Sequence, residues 1–300
     1  MGAPSLSGDG DGFVEIAAGR HVARIAARGA EVVSWTAAGR ELLWSGDPDW
    51  WPKVSPILFP IVGRVRDGRI LVDGVAYPLG IHGFAASQRF TLVEASADAA
   101  GFELRDSAET LACYPFRFTL SVRYRLTEFG LSIGITVANR GDAAMPYAVG
   151  VHPGFRWPLA DRPRDGHAVR FAAQERAEVP VLSARGLFTD RMRPVPLAGR
   201  VLPLSDALFE PGALCFLDAA SPSMTYEASP DGPAIRLVAE NLPHLALWTQ
   251  PGAGFLCLEA WSGHGDPDDF TGELWDKPSM RVLQPGASAT HGVTLELRGR

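Results

Sequence analysis

Alternation of apolar and polar residues is the strongest pattern in this chain. In FRFTLSVRYRL (116–126), Phe116, Phe118, Leu120, Val122, Tyr124 and Leu126 fall on one side of an extended backbone. Arg117, Thr119, Ser121, Arg123 and Arg125 fall on the other. A period of two sustained this long predicts a strand with one buried and one wet face. LSIGITVAN (131–139) repeats the pattern, and the intervening TEFG carries a glycine, so the two segments read as an antiparallel hairpin. Shorter β-rich pieces recur at FVEIA, HVARIAA, EVVSW, GFELR, AIRLVAE, LALWTQ, FLCLEAW and HGVTLELR, separated by Gly, Pro, Asn and Asp. No long stretch repeats its apolar residues every three or four positions, so an all-β fold of many short antiparallel strands is expected.

The 32 Gly and 24 Pro are spread through the chain and do not collect at one hinge, which favours a single large β domain. Residues 1–12 (MGAPSLSGDGDG) are small and polar and read as a flexible tail. The domain is expected to run from Phe13 to Arg300, with RPRDG (162–166) as an exposed loop tip. A hydrophobic fraction of 46% supports a sizeable core. The net charge of −6 lacks the basic footprint of a nucleic-acid partner. The start has no basic, apolar leader pattern and no run approaches a membrane span, so a cytoplasmic chain is expected. Cys113, Cys215 and Cys257 are odd in number and lie in apolar segments, as small buried hydrophobes do.

Nucleotide-loop and zinc-helix motifs are absent, so chemistry must come from dispersed residues. In FLCLEAW, Phe255, Cys257 and Glu259 share one strand face, and Leu256, Leu258 and Ala260 the other. A carboxylate ending an apolar face needs hydrogen-bonding partners or a functional site. His152 precedes Pro153 and Gly154, which hold the local backbone extended and then turned. His82 stands beside Gly83 and Phe84. Each histidine alone also fits a satisfied core residue. Two histidines and a carboxylate suit a metal, but nothing here has metal-motif spacing, and no metal is assigned. Glu259 with Asp266 or Asp268 would make a glycosidase pair. Trp248 and Trp261, close in sequence to Glu259, suit either core packing or the faces of a sugar.

Read in order, SPILFPIVGRVRDG, HGFA, GVHPGF, NLPHLALWT and FLCLEAWSG resemble the aldose 1-epimerase (galactose mutarotase-like) superfamily, from about Phe13 to Leu297. The resemblance implies a large twisted antiparallel β-sandwich with a cleft across one sheet, and a monosaccharide substrate without cofactor. By it, Glu259 is the general base at the anomeric hydroxyl, His152 the acid at the ring oxygen and His82 its assistant. Arg64 would emerge after Gly63 to hold sugar hydroxyls. The chain departs from the pattern in FEPGALCFL, where Gly212 stands in place of an acidic substrate-binding residue. Asp206 or Glu210 is close enough in sequence to replace it. That departure keeps a non-catalytic sugar-binding or sugar-sensing protein open as a rival, and a second rival, a hexose-6-phosphate 1-epimerase, would draw on Arg64, Arg66, Arg69 and Arg89.

Overall fold

The computed structural model describes residues 12–159, 162–229 and 232–299. Among them, the predicted hairpin forms the centre of a nine-stranded antiparallel sheet. Its strands follow the order Val201–Pro203, Ala168–Phe171, Ser223–Glu227, Ala234–Glu240, Ser288–Arg298, Gly130–Asn139, Phe118–Thr127, Ala99–Arg105 and Thr91–Ala95. Phe118, Leu120, Val122, Tyr124 and Leu126 are all buried, while Arg123 and Arg125 reach solvent and pair with Glu94 and Asp98. Phe116 is buried too, but it precedes the strand. The turn needs its glycine, because a Cβ on Gly130 would collide with the Leu295 carbonyl of the adjoining strand.

A second sheet carries Leu214–Phe216, His244–Trp248, Phe255–Trp261, Gly150–Val151 and Ile57–Leu58, and Gly154–Arg156 also pairs with Phe255–Trp261. The two sheets pack through aromatic contacts. Phe171 meets Phe216 with ring centroids 4.7 Å apart, and Phe118 meets Phe59 at 5.0 Å. This is the all-β sandwich that the alternation and the resemblance predict. A four-stranded sheet spanning Phe13–Glu41 joins it, tied by the Tyr124 hydroxyl donating to the Ala30 carbonyl at 2.5 Å. Helix among the described residues is confined to single turns, the α-helical one being Ala108–Leu111. Among the described residues, no helix is long and apolar enough to cross a membrane.

Three expectations need adjusting. Residues 1–11 of the expected tail lie outside the described residues, but Gly12 is buried and its carbonyl accepts from Ala27 N at 3.0 Å. Cys113 is half-buried at the end of the short helix, unlike the buried Cys215 and Cys257. The 162–166 tip is mostly exposed, yet Arg164 folds back to stack 3.7 Å over the Trp157 ring. The close approach at the hairpin gives a direct test of the central register. Gly130→Ala should destabilise the protein by roughly 1–3 kcal/mol in urea unfolding, and an unchanged midpoint would contradict the register.

Candidate active site

Strand Phe255–Trp261 is buried on both faces. Leu256, Leu258 and Ala260 join the core between the sheets, while Phe255, Cys257, Glu259 and Trp261 face the other way. Glu259 is only 2% exposed. Its Oε2 accepts from Trp261 Nε1 at 3.1 Å, and its Oε1 lies 3.3 Å from His152 Nε2. The His152–Pro153 pair forms the step between strands Gly150–Val151 and Gly154–Arg156. Both strands pair with Phe255–Trp261, Val151 opposite Ala260 and Gly154 opposite Cys257, so the step falls opposite Leu258 and Glu259. Leu258 N bonds the Pro153 carbonyl at 3.1 Å and fixes the step.

Burial pushes the Glu259 carboxyl well above its usual range, and the Trp261 N–H only partly offsets this. Burial likewise holds His152 well below 6.5, with the neighbouring His82 adding to the effect. Both shifts oppose the carboxylate–imidazolium pair that the resemblance implies. They favour a neutral carboxyl beside a neutral imidazole, a pair sharing one proton across 3.3 Å. His152 Nδ1 is buried without a partner among the described residues.

His82 joins from the other side, its ring 5.5 Å from that of His152 and nearly perpendicular to it. Its backbone is in the left-handed region at φ 61°, a conformation costing on the order of 1 kcal/mol or more for a residue with a side chain. It is held there by reciprocal bonds with Gly63. His82 N donates to the Gly63 carbonyl at 2.8 Å, and Gly63 N donates to His82 Nδ1 at 3.1 Å. With Nδ1 accepting, the proton of the neutral ring sits on Nε2 as a donor. Burial, then the charge of Arg64, lowers its pKa to about 4.

The apolar run ahead of Arg64 behaves as the sequence suggests, with Phe59, Ile61 and Val62 fully buried. Gly63 then turns at φ 74° against the Gly265 backbone, where a Cβ would approach to 2.8 Å. Arg64 emerges exposed into a cleft of 480 Å³ that it shares with Glu259, His152, His82, Trp248 and Trp261. Beneath it, Asp266 receives the Arg66 N–H at 2.8 Å and the buried Lys277 ammonium at 2.5 Å. Asp266 N in turn donates to the Arg64 carbonyl at 2.9 Å.

Two cleft residues carry no sequence signal. Trp51 packs its ring 4.9 Å from His152 and 5.5 Å from Trp248, forming an aromatic wall with Phe255. Lys53 also lines the cleft, its ammonium 3.4 Å from the Ala86 carbonyl. The buried Glu31 carboxylate, which accepts from Val54 N and Ser55 N at 2.7 and 2.9 Å, fixes the segment carrying both residues.

The remaining acids fall elsewhere. Asp206 does not line the cleft. Its Oδ1 is taken by Arg164 at 2.6 Å and by Gly252 N at 2.9 Å, so it braces the 250–253 turn and does not stand in for an acid at Gly212. Glu210 is exposed outside the cleft lining. Asp266 is consumed by Lys277, and Asp268 by Ser183 and Arg185, which leaves Glu259 without a second cleft carboxylate for a glycosidase pair among the described residues.

Comparison with known proteins gives the family and the fold. The chain matches the aldose 1-epimerase family over residues 13–296 and belongs to that family. A galactose mutarotase-like protein from Lactobacillus casei superposes with a TM-score of 0.90 at 29% identity, covering 96% of this chain and 100% of that one. A galactose mutarotase related enzyme from Lactobacillus acidophilus gives 0.88 at 28%, covering 96% and 97%. Protein LacX of Lactococcus lactis is 30% identical over 257 residues, 82% of this chain and 86% of its own. The fold and family are those of a mutarotase-like isomerase acting on sugars.

Two stability predictions follow from the buried charges. His82 and His244 are both held near 4, chiefly by burial, so each is neutral when folded and takes a proton below 6.5 when unfolded. The contribution of these two histidines should therefore be level above pH 6.5 and fall between about 6.5 and about 4, by roughly 3 kcal/mol for each residue, read as the difference in pH dependence between the parent and its His82→Gln and His244→Gln variants. Variants whose urea midpoints follow the parent's pH dependence across that window would contradict it. Lys277→Met strands the Asp266 carboxylate and should cost roughly 3–5 kcal/mol, measured by thermal or urea unfolding.

Proposed function

We propose that the protein is a cofactor-independent aldose 1-epimerase interconverting the α and β anomers of a hexose, in the cytoplasm. The observation that carries this reading is the 3.3 Å contact between Glu259 Oε1 and His152 Nε2, with His82 alongside, on the cleft wall. Moving the shared proton from Glu259 to His152 gives a base and an acid in one step. Glu259 takes the proton of the anomeric hydroxyl as the C1–O5 bond breaks, and His152 delivers its proton to O5. His82, donating through Nε2, steadies O5 as charge develops there. The open-chain aldehyde turns about C1–C2, and O5 adds back to the other face while both protons return.

Burial assists the opening half. It discharges a carboxylate and an imidazolium into the neutral pair that the dry site favours. No electron leaves the sugar, and no group is needed beyond the two proton carriers. Trp51, Trp248 and Trp261 supply flat apolar faces against which a pyranose can lie.

A positioned base and acid each contribute roughly 10²- to 10⁴-fold. Glu259→Gln keeps the shape of the side chain and should lose acceleration of that order, followed by polarimetry or exchange NMR against the spontaneous rate. A variant as fast as the parent would remove the base. Saturable sugar binding by the parent, with no acceleration over a panel of hexoses, would favour the non-catalytic rival.

A further inference from the structure

Arg64 reaches the cleft on a long side chain that no bond holds. Among the described residues its guanidinium has no ion pair and no hydrogen bond. An unconfined arginine samples many rotamers, and ordering it on a ligand weakens binding. Here its direction is set by packing. A Cβ built on Gly186 would come within 2.9 Å of Arg64 Cδ, 3.0 Å of its Nε and 3.8 Å of its Cγ, the three nearest atoms all belonging to that one side chain. The stem of Arg64 therefore lies against the bare Cα of Gly186, which itself lines the cleft.

Gly186 belongs to the turn between two paired strands, Glu178–Leu182 and Phe188–Pro194. The turn is closed by Gly186 N donating to the Ser183 carbonyl and Ser183 N to the Leu187 carbonyl, both at 2.8 Å. This hairpin is docked on the segment that also holds the main chain of Arg64. Phe188 N donates to the Asp266 carbonyl at 2.9 Å, and Asp268 N to the Phe188 carbonyl at 2.7 Å. At the tip, Asp268 Oδ1 accepts from Ser183 Oγ at 3.0 Å and Arg185 Nη2 at 2.9 Å. Gly265 fits between the two, since a Cβ there would come within 3.2 Å of Arg64 N and O and 3.4 Å of Phe188 Cε2. The base of Arg64 and the surface on which its stem rests are thus referred to the same stretch, 265–268.

Other tight glycines nearby face main chain. A Cβ on Gly63 would strike the Gly265 backbone, and one on Gly83 the Phe59 carbonyl. At Gly186 the atoms in the way are the outer part of a flexible side chain, so the group that yields is Arg64. We infer that Gly186 is a positioning residue, its missing side chain leaving the slot that aims the Arg64 guanidinium into the cleft. This deepens the epimerase reading and rests on it for the place of Arg64 at the sugar hydroxyls. Those hydroxyls take no part in the bond changes, so Arg64 holds ground state and transition state alike. Misdirecting it falls on KM and spares kcat.

The test follows anomer exchange of glucose, galactose and mannose by NMR in a double-mutant cycle. Gly186→Ala should raise KM roughly 10-fold and leave kcat within about twofold of the parent. Arg64→Met should raise KM at least as much, and the double variant should be no worse than Arg64→Met alone. Gly199→Ala is the control. It has a similar left-handed backbone, φ 63° against 72°, but nothing lies within 4 Å of its Cβ, so it should lose stability in urea with KM unchanged. If Gly186→Ala fails to fold, Gly186→Asn brings the same Cβ on a residue that tolerates that backbone, with the same expectation. An unchanged KM in the folded Gly186 variant or in Arg64→Met, an equal rise in Gly199→Ala, or losses that simply add in the double variant would each overturn the inference and leave the epimerase reading intact. If no hexose is accelerated, the cycle is read from NMR titration with the same three sugars. Binding weakened by Gly186→Ala only while Arg64 is present keeps the inference and removes the epimerase reading, and equal or absent binding overturns the inference.

Discussion

The cost of keeping Glu259 out of water governs the arrangement of this protein. A carboxyl on a strand buried on both faces is stable only if its oxygens are matched, and here one is met by the Trp261 N–H and the other by His152. His152 can reach that position because the strand opposite is broken at Pro153 into two short pieces that keep pairing on either side. The irregularity of the smaller sheet is thus the same feature that brings the proposed base and acid together. The larger sheet, long and regular, supplies the apolar backing that lets the smaller one be interrupted.

The rest of the site is held by backbone contacts more than by side chains. Gly63 and His82 exchange two hydrogen bonds, and Gly63 lies against Gly265 too closely for a Cβ. The buried Asp266–Lys277 pair clasps the turn on which Arg64 stands. The segments around Gly63, His82, Gly265 and Lys277 are thereby fixed to one another, which sets His82 and Arg64 on the cleft wall. Such fixed placement suits the proposed reaction, in which two protons move in concert.

Much of this was legible in the sequence, and the reasons are local. Alternation depends on neighbours, so the hairpin and the two faces of FLCLEAW could be read directly, and Glu259 stood out as a charge where burial was expected. Trp51 and Lys53 escaped because the segment around them has no period and is fixed by Glu31, more than twenty positions away. Asp206 was misplaced for the opposite reason, being near Gly212 along the chain while its carboxylate turns to Arg164 and Gly252. The charge state of the Glu259–His152 pair also eluded the sequence, since desolvation depends on every layer packed above the two groups.

Gly212 carries a consequence for how this branch of the family can diverge. Its backbone sits at φ 101°, a region that residues with side chains rarely adopt. Point mutation at that codon would therefore meet a barrier in the main chain before any new carboxylate could contribute to recognition. Placing a carboxylate there would mean re-routing the main chain of the bend between Phe209 and Leu214, not exchanging one side chain.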